Sequence, residues 1–292
     1  MIDDRRGAGL REWDVQVVTC AELPEPDADM APLMAALELA GLRARRVVWD
    51  DASVDWGESS LTVIRSTWDY HRRRDAFVAW AQAVGERSQL LNPAEVVLWN
   101  THKRYLLTLA LRGVAAVPTA MIERGSCLKA GEICEDQGWR KIVVKPAVSA
   151  GSYQTHVMEA GAIDEEVVGA LVAAEDVLVQ PYIESVDTYG ERSLIFIDGE
   201  LTHSVRKSPR FAGQDESVSG PHPVEAAERE VGERALKAVG GEGLLYARVD
   251  LVRGADGAPM VAELELVEPS LFFNLCPAAL GRYVEGVKRR LG

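Results

Sequence analysis

No apolar run in this chain approaches the roughly 18 residues a membrane span needs. The opening residues, MIDDRRGAGLREW, carry charges but no apolar core of a secretory leader. The four cysteines (Cys20, Cys127, Cys134, Cys276) are scattered with no C-x-x-C pair, and the five histidines form no H-E-x-x-H and no close His/Cys cluster. That excludes a zinc site and leaves reduced thiols, so a soluble, cytoplasmic protein without a membrane partner is expected. Positive charge is also short: 32 Lys and Arg stand against 45 Asp and Glu, a net charge of -13. This argues against an extended nucleic-acid surface, which needs excess cations to neutralise phosphates. A small anion held by a few lysines is compatible with it. Neither G-x-x-x-x-G-K-[ST] nor G-x-G-x-x-G occurs, and the GAG at Gly7 precedes no strand-to-helix turn. Repeats, low-complexity tracts, coiled-coil heptads and an apolar stripe are missing too, so a homo-oligomer is left open.

At 292 residues the chain exceeds the usual single core, and two or three lobes with clefts are expected. VQVVTC (Val15–Cys20) predicts a first strand, MAPLMAALELAGL a helix ending near Gly41, ARRVVWD a second strand, SLTVIRSTWDY a third, and RDAFVAWAQAVG a helix closed by Gly85. The succession predicts an open α/β domain, with ligand residues beyond the carboxyl ends of its strands. Arg65, Ser66, Thr67 and Asp69 occupy that place. A helix over about Thr101 to Leu111, with Lys103 in its first turn, bridges into another lobe. There follow the strand IVVKP, the loop AVSAGSYQ, the strand THVME, a helix near Glu165 to Ala174 and the strand VLVQPYI. RSLIFID and ELTHSVRK form a hairpin through Asp198-Gly199. After a polar loop over Ser208 to Pro223 come the helix VEAAEREVGERALKAVG, the hairpin LLYARVDLV and PMVAELELV, and a terminal helix.

The last hairpin carries the strongest chemical signal. Strand alternation places Arg248 and Asp250 on one face, and the partner strand adds Glu263 and Glu265. Carboxylates so close repel unless a cation neutralises them, and hard oxygen donors suit Mg²⁺. A charge-laced exposed hairpin face is the alternative. Lys145 ends an apolar strand just before Ala-Val-Ser-Ala-Gly-Ser. Small residues there let backbone N–H groups approach phosphate oxygens, and Ser149, Ser152 and Tyr153 add hydroxyl donors around Gly151. Alone, Lys145 also fits a strand-end lysine in solvent. Lys103 is a second cation upstream. Downstream, VLVQPYIES leaves its ladder at Pro181, so that Tyr182 and Ile183 can sandwich a flat ring while Glu184 and Glu191 accept ribose hydroxyls; an edge strand turning out of its sheet is the alternative.

This ordered set resembles the ATP-grasp superfamily, in particular its glutathione-synthetase-like ligases. The resemblance spans Lys103 to Ser270 and is carried by the helix-borne lysine, the strand-end lysine with its small-residue lid, LVQPYI, R-x-D and E-x-E. IRSTWDYH, WNTHKRYLL and ELVEPSLFF are similar to a bacterial subgroup containing the cyclo-ligase that closes O-ureidoserine to cycloserine. The fold implied is an N-terminal open α/β domain (1–98) for substrate, an ATP-grasp small lobe with the lid (99–180) and a C-terminal lobe with the metal site (181–292). The resemblance further implies that Lys103 and Lys145 contact ATP phosphates, that Ser149 to Tyr153 cap them, and that Gln180 to Ile183 hold adenine. Asp250, Glu263 and Glu265 would hold Mg²⁺, although many members have Asn at the place of Glu265. Arg248 would stabilise the acyl phosphate or tetrahedral species.

The expected activity is therefore ATP-dependent ligation of a carboxylate to an amine on an amino-acid-like small molecule, through an acyl phosphate, with release of ADP and phosphate. The cyclo-ligase is an intramolecular alternative. A small-molecule kinase and a silent nucleotide-binding protein are the others. For substrate, Arg65 can clamp a carboxylate in a bidentate fork, with Ser66, Thr67 and Asp69 beside it; an Arg65–Asp69 structural pair is the alternative. Arg206 and Lys207, followed by SPRFAGQ, either add positive charge near the acyl phosphate or form a solvated strand end. Glu268 and Ser270 can touch the nucleophile, and Trp68 and Trp99 belong more naturally to a core.

Overall fold

The computed structural model describes residues 11–208 and 217–292. Gly7 and most of SPRFAGQ lie outside them. The chain divides into two compact units, one running to Val97 and resuming over Val267–Gly292, the other being Leu98–Leu266.

In the first unit, β1 (Trp13–Thr19), β2 (Ala44–Val48), β3 (Ser59–Ser66) and β4 (Gln89–Leu91) form a parallel sheet in the order β2-β1-β3-β4. Helices α1 (Met30–Leu39) and α2 (Arg74–Gly85) connect its strands. β1 and β3 are buried along nearly their whole length, which is why they read as continuous apolar runs rather than alternating ones. Phe77 and Trp80 of α2 stack on each other beside Trp49 and fill one side of the core. The C-terminal helix (Pro277–Leu291) packs on α1. Two differences from the sequence reading stand out. The third strand stops at Ser66 rather than Tyr70, because Tyr70–Arg73 turns as a 3₁₀ helix. The short β4 joins the sheet although QLL alone is too brief to signal a strand. The chain leaves β1 toward one sheet edge and β3 toward the other, so the carboxyl ends of these two strands flank a topological switch point.

The second unit begins within α3 (Ala94–Asn100), followed by α4 (Tyr105–Leu111). Lys103 is not in a helical first turn as expected: 101–104 form the turn between these helices, and the Lys103 N–H donates to the Ala147 carbonyl at 2.8 Å. An antiparallel sheet follows, in the order β5-β8-β6-β7, from β5 (Ala120–Ile122), β6 (Lys141–Pro146), β7 (His156–Glu159) and β8 (Val177–Pro181). Helices α5 (Ala130–Gln137) and α6 (Glu165–Ala174) cover one face, around Ile133, Ile142, Val144, Val168 and Val179. β8 therefore has a neighbour on each side and is not an edge strand; its proline is tolerated as the last residue of the ladder, opposite Ile142.

A larger antiparallel sheet runs β11-β10-β9-β12-β13, from β9 (Glu191–Ile197), β10 (Glu200–Lys207), β11 (Val218–Ser219), β12 (Tyr246–Arg253) and β13 (Pro259–Glu265). The β9–β10 turn takes positive φ at both Asp198 and Gly199, as a primed two-residue hairpin turn demands. The short helix α7 (Ser185–Thr188) precedes β9, and α8 (Ala226–Ala238) packs on β12 and β13. Among the described residues no helix is long and apolar enough to cross a membrane.

Candidate active site

The β12–β13 hairpin builds the centre of the site. Its register places Arg248 opposite Glu265 and Asp250 opposite Glu263, while a bulge sets Leu251 opposite Val261. The extra residue, Ala262, reverses the alternation at that point. Val261 thus joins the buried apolar side while Glu263, two residues on, faces Asp250. One oxygen from each of Asp250, Glu263 and Glu265 comes within 4.8 Å of the others.

Cations interleave with these acids. The Arg248 guanidinium donates from Nε to Asp250 Oδ1 at 3.0 Å, from a terminal nitrogen to Asp250 Oδ2 at 3.1 Å, and to Glu265. Lys207 Nζ lies 2.7 Å from Asp250 and 2.9 Å from Glu191, and Lys103 pairs with Glu263. Lys207 is therefore a buried member of the cluster, not a solvated strand end. Arg206, one residue earlier, faces away: it donates to the Thr188 carbonyl at 2.7 Å and lies over the Tyr189 ring.

The electrostatics follow from this packing. Burial works against the Asp250 charge, yet Arg248 and Lys207 hold its carboxyl well below the usual range. Burial opposes Glu263 as well, and Lys103 with Lys145 still draws it down to about 2. Glu265 behaves differently. Burial, added to the carboxylates of Glu263 and Asp250, outweighs Arg248 and pushes it up to about 7. Lys145 is held below the ordinary lysine value by burial, which the opposite charge of Glu263 offsets and Lys103 reinforces. Three hard oxygen donors, one of them destabilised by its neighbours, fit a small divalent cation, which would relieve that repulsion.

The β6–β7 connection starts from the same place. The Ala147 N–H donates to the Asp176 carbonyl at 2.8 Å and the Val148 N–H to the Glu175 carboxylate at 3.2 Å, fixing its base. Ser149 is buried, with its hydroxyl turned onto the Pro146 carbonyl. Gly151, Ser152 and Tyr153 are exposed, and positive φ at Gly151, Ser152 and Gln154 curls the loop tip. At the end of β8, Gln180 directs its amide to Thr119 at 2.8 Å. The Tyr182 N–H continues the ladder to the Lys141 carbonyl, Lys141 Nζ sits 3.8 Å from the Tyr182 ring centroid, and the phenol donates to Asp187. The Ile183 and Glu184 carbonyls accept from Val186 and Asp187 and open α7.

The substrate candidates of the first unit have other partners than those expected. Arg65 is fully buried, donating to the Pro269 carbonyl at 2.9 Å and to Asp29 at 3.4 Å. Asp69 accepts instead from Trp49 Nε1 at 2.9 Å and from Arg73. The Ser66 hydroxyl meets that of Thr19 at 2.9 Å, and Thr67 is buried, its carbonyl accepting from Tyr70. The Glu268 carbonyl accepts from Trp68 Nε1 at 3.0 Å, and Ser270 is half-buried. Trp99 packs on Tyr105.

Sequence reading missed two residues behind the glutamates. The Asn100 side chain donates to the Leu264 carbonyl at 2.9 Å and accepts from the Leu266 N–H at 2.7 Å, imitating a neighbouring strand. The Tyr105 hydroxyl accepts from the Leu264 N–H at 3.3 Å. Both hold β13 at Leu264, between Glu263 and Glu265. The only sequence signal was a polar residue, Asn100, ending an otherwise apolar helix.

Comparison with known proteins places this architecture. The chain superposes on D-alanine–D-alanine ligase from Bacillus anthracis complexed with ATP at a TM-score of 0.69, with 14% identity over 96% of this chain and 97% of that one. It superposes on the ATP-grasp ligase PsnB complexed with minimal precursor at 0.67, with 18% identity over 96% and 100%. The fold is that of an ATP-grasp ligase. Residues 15–92 match the family model of the D-cycloserine synthetase DcsG N-terminal domain. The cycloserine biosynthesis protein DcsG of Streptomyces lavendulae is 35% identical over 91% of this chain and 94% of its own length. The crystal structure of D-cycloserine synthetase DcsG superposes at a TM-score of 0.86, with 34% identity over 95% and 99%. The chain belongs to the DcsG family, and it is an ATP-dependent ligase that forms C–N bonds.

Proposed function

We propose that this ligase closes a ring within one small amino-acid derivative, activating its carboxylate as an acyl phosphate and releasing ADP and phosphate. The observation that carries the reading is the 35% identity extending over 91% of the chain to a relative named for cycloserine biosynthesis. The substrate carboxylate takes the γ-phosphoryl group of ATP and ADP leaves; a nitrogen of the same molecule then attacks the acyl carbon, so that the C–N bond forms, the nitrogen gives up its proton to the departing phosphate or to solvent, and the C–O bond to phosphate breaks.

Each charged residue then has a task. Asp250, Glu263 and Glu265 would hold Mg²⁺, which would supply positive charge against the phosphates. Lys103 and Lys145 bind phosphate oxygens. Lys103 pairs with Glu263 in the protein itself, and Mg-ATP presents both opposite charges together, so one protein ion pair can be exchanged for two with the ligand. Arg248 stabilises negative charge on the acyl phosphate and the tetrahedral species, and Lys207, held between Asp250 and Glu191, adds positive charge there. The loop Ser149 to Tyr153 covers the fragile anhydride against water. Gln180 to Ile183 hold adenine, and Glu184 and Glu191 accept from ribose. Glu268 and Ser270 meet the substrate, whereas Ser66 and Thr67 are as fully buried as Arg65 and support it from behind; residues 1–98, together with 267–292, serve as the substrate unit, 99–180 as the lid lobe and 181–266 as the metal lobe. Work on ATP with free cysteines, Cys127 among them exposed, suits the cytoplasm.

The test is ADP release with ATP and Mg²⁺ over amino acids, dipeptides and O-ureidoserine, singly and in pairs. Stimulation by a single compound carrying both groups is expected; stimulation only by a pair would replace ring closure with intermolecular ligation. Hydroxylamine separates a ligase from a kinase, because only an acyl phosphate yields a hydroxamate.

A further inference from the structure

A second buried charge cluster, in the first unit, takes no direct part in this chemistry. Asp29 stands at the start of α1, is 2% exposed, and accepts three consecutive backbone N–H groups: Leu271 at 2.6 Å, Phe272 at 3.0 Å and Phe273 at 2.8 Å. Successive amides converging on one anion form a nest, which needs a residue in the left-handed region. Phe272 supplies it with φ of +53°, a conformation rare for a bulky side chain without Gly's freedom. Arg65 completes the cluster, touching Asp29 at 3.4 Å, lying 3.9 Å from Asp27 and donating to the Pro269 carbonyl at 2.9 Å. Trp68 Nε1 holds the preceding carbonyl, that of Glu268. The backbone from Glu268 to Phe273 is thus gripped at five points by residues from the carboxyl ends of β1 and β3 and the loops beyond them.

That segment begins three residues after Glu265 and carries Glu268 and Ser270. We infer that Asp29 and Arg65 are positioning residues for the substrate: they set the path of the Glu268–Phe273 segment, and through it the groups that meet the amino-acid substrate. Arg65 itself is not the substrate's carboxylate clamp, because its guanidinium is fully buried and committed to this segment and to Asp29. The inference rests on the ligase reading above for its substrate and deepens it. Its cause is local: an Asn at position 29 offers one acceptor oxygen in place of two and turns an N–H₂ toward backbone donors.

The experiment compares wild type, Asp29→Asn and Trp68→Phe, which loses only the grip on the Glu268 carbonyl, in steady-state ADP release and in amide hydrogen exchange. Expected for Asp29→Asn is faster exchange at Leu271, Phe272 and Phe273 and a KM for the amino-acid substrate raised tenfold or more, with KM for ATP within twofold of wild type. Trp68→Phe should raise the same substrate KM about threefold, and it reads the proposal if Asp29→Asn does not fold. Faster exchange with an unchanged substrate KM would show a grip that is structural only and overturn the proposal; so would equal losses toward ATP and substrate. A wild-type protein that releases no ADP with any compound of the panel fails the ligase reading instead, and the two failures are distinct.

Discussion

The two buried charge clusters both set carboxylates against an arginine and behave in opposite ways. Around Asp29 the carboxylate is satisfied by three amides and a guanidinium, all within the protein. Around Asp250 the carboxylates crowd one another, and Glu265 is driven up to about 7 by burial and by its neighbours Glu263 and Asp250. The first arrangement is closed and holds backbone in place; the second carries internal repulsion that an added cation relieves. Burial of charge alone therefore does not mark a binding site. What separates the two is whether backbone donors already occupy the oxygens' lone pairs.

Substitutions break the comparison in a graded way. The largest effect is expected at Asp250→Asn, which should lower kcat by about 10³-fold, the scale of losing a principal electrostatic contact in the transition state; stopped-time ADP assays measure it, and a fully active variant would remove the metal assignment. Asp29→Asn should act first on stability, costing about 3 kcal/mol as a buried pair loses one partner, measured by urea unfolding; Asp250→Asn also loosens a buried pair, but the loss of one carboxylate from a crowded cluster offsets part of that cost, so its main effect is on turnover. Lys145→Ala should weaken ATP binding by roughly tenfold to a hundredfold, the worth of a charge-assisted hydrogen bond, read by calorimetry; unchanged affinity would move the phosphates elsewhere. Asn100→Ala leaves the Leu264 carbonyl and the Leu266 N–H without their partner and should cost about 2 kcal/mol of stability. Smallest is Glu265→Asn, the residue found at that place in many ATP-grasp members: Mg²⁺ affinity should shift by about tenfold or less while turnover persists.

Much of this was legible beforehand because it is local. The parallel strands announce themselves as apolar runs, Asp198-Gly199 dictates its own turn, and two-residue alternation puts Arg248 with Asp250 and Glu263 with Glu265. Lys207 was harder. It is adjacent to Arg206, and only strand pairing shows that one faces Asp250 and the other Tyr189. The Arg65–Asp69 pair suggested by spacing gives way to partners reached across loops, Asp29 and Pro269. Asn100 and Tyr105 act on Leu264, far along the chain, so no window around them holds the signal.

The sequence by itself determined the strands and helices, the order of lysines and acids along them, and hence the ATP-grasp resemblance, because these depend on periodicity and short-range turn chemistry. Tertiary structure alone decided which cation meets which carboxylate, that Ala262 bulges so that Val261 and Glu263 point apart, and that Asp29 rather than a ligand satisfies the amides after Pro269. Those choices depend on pairings between residues distant in the chain, where burial makes an unmatched charge too costly to leave and no local pattern records its partner.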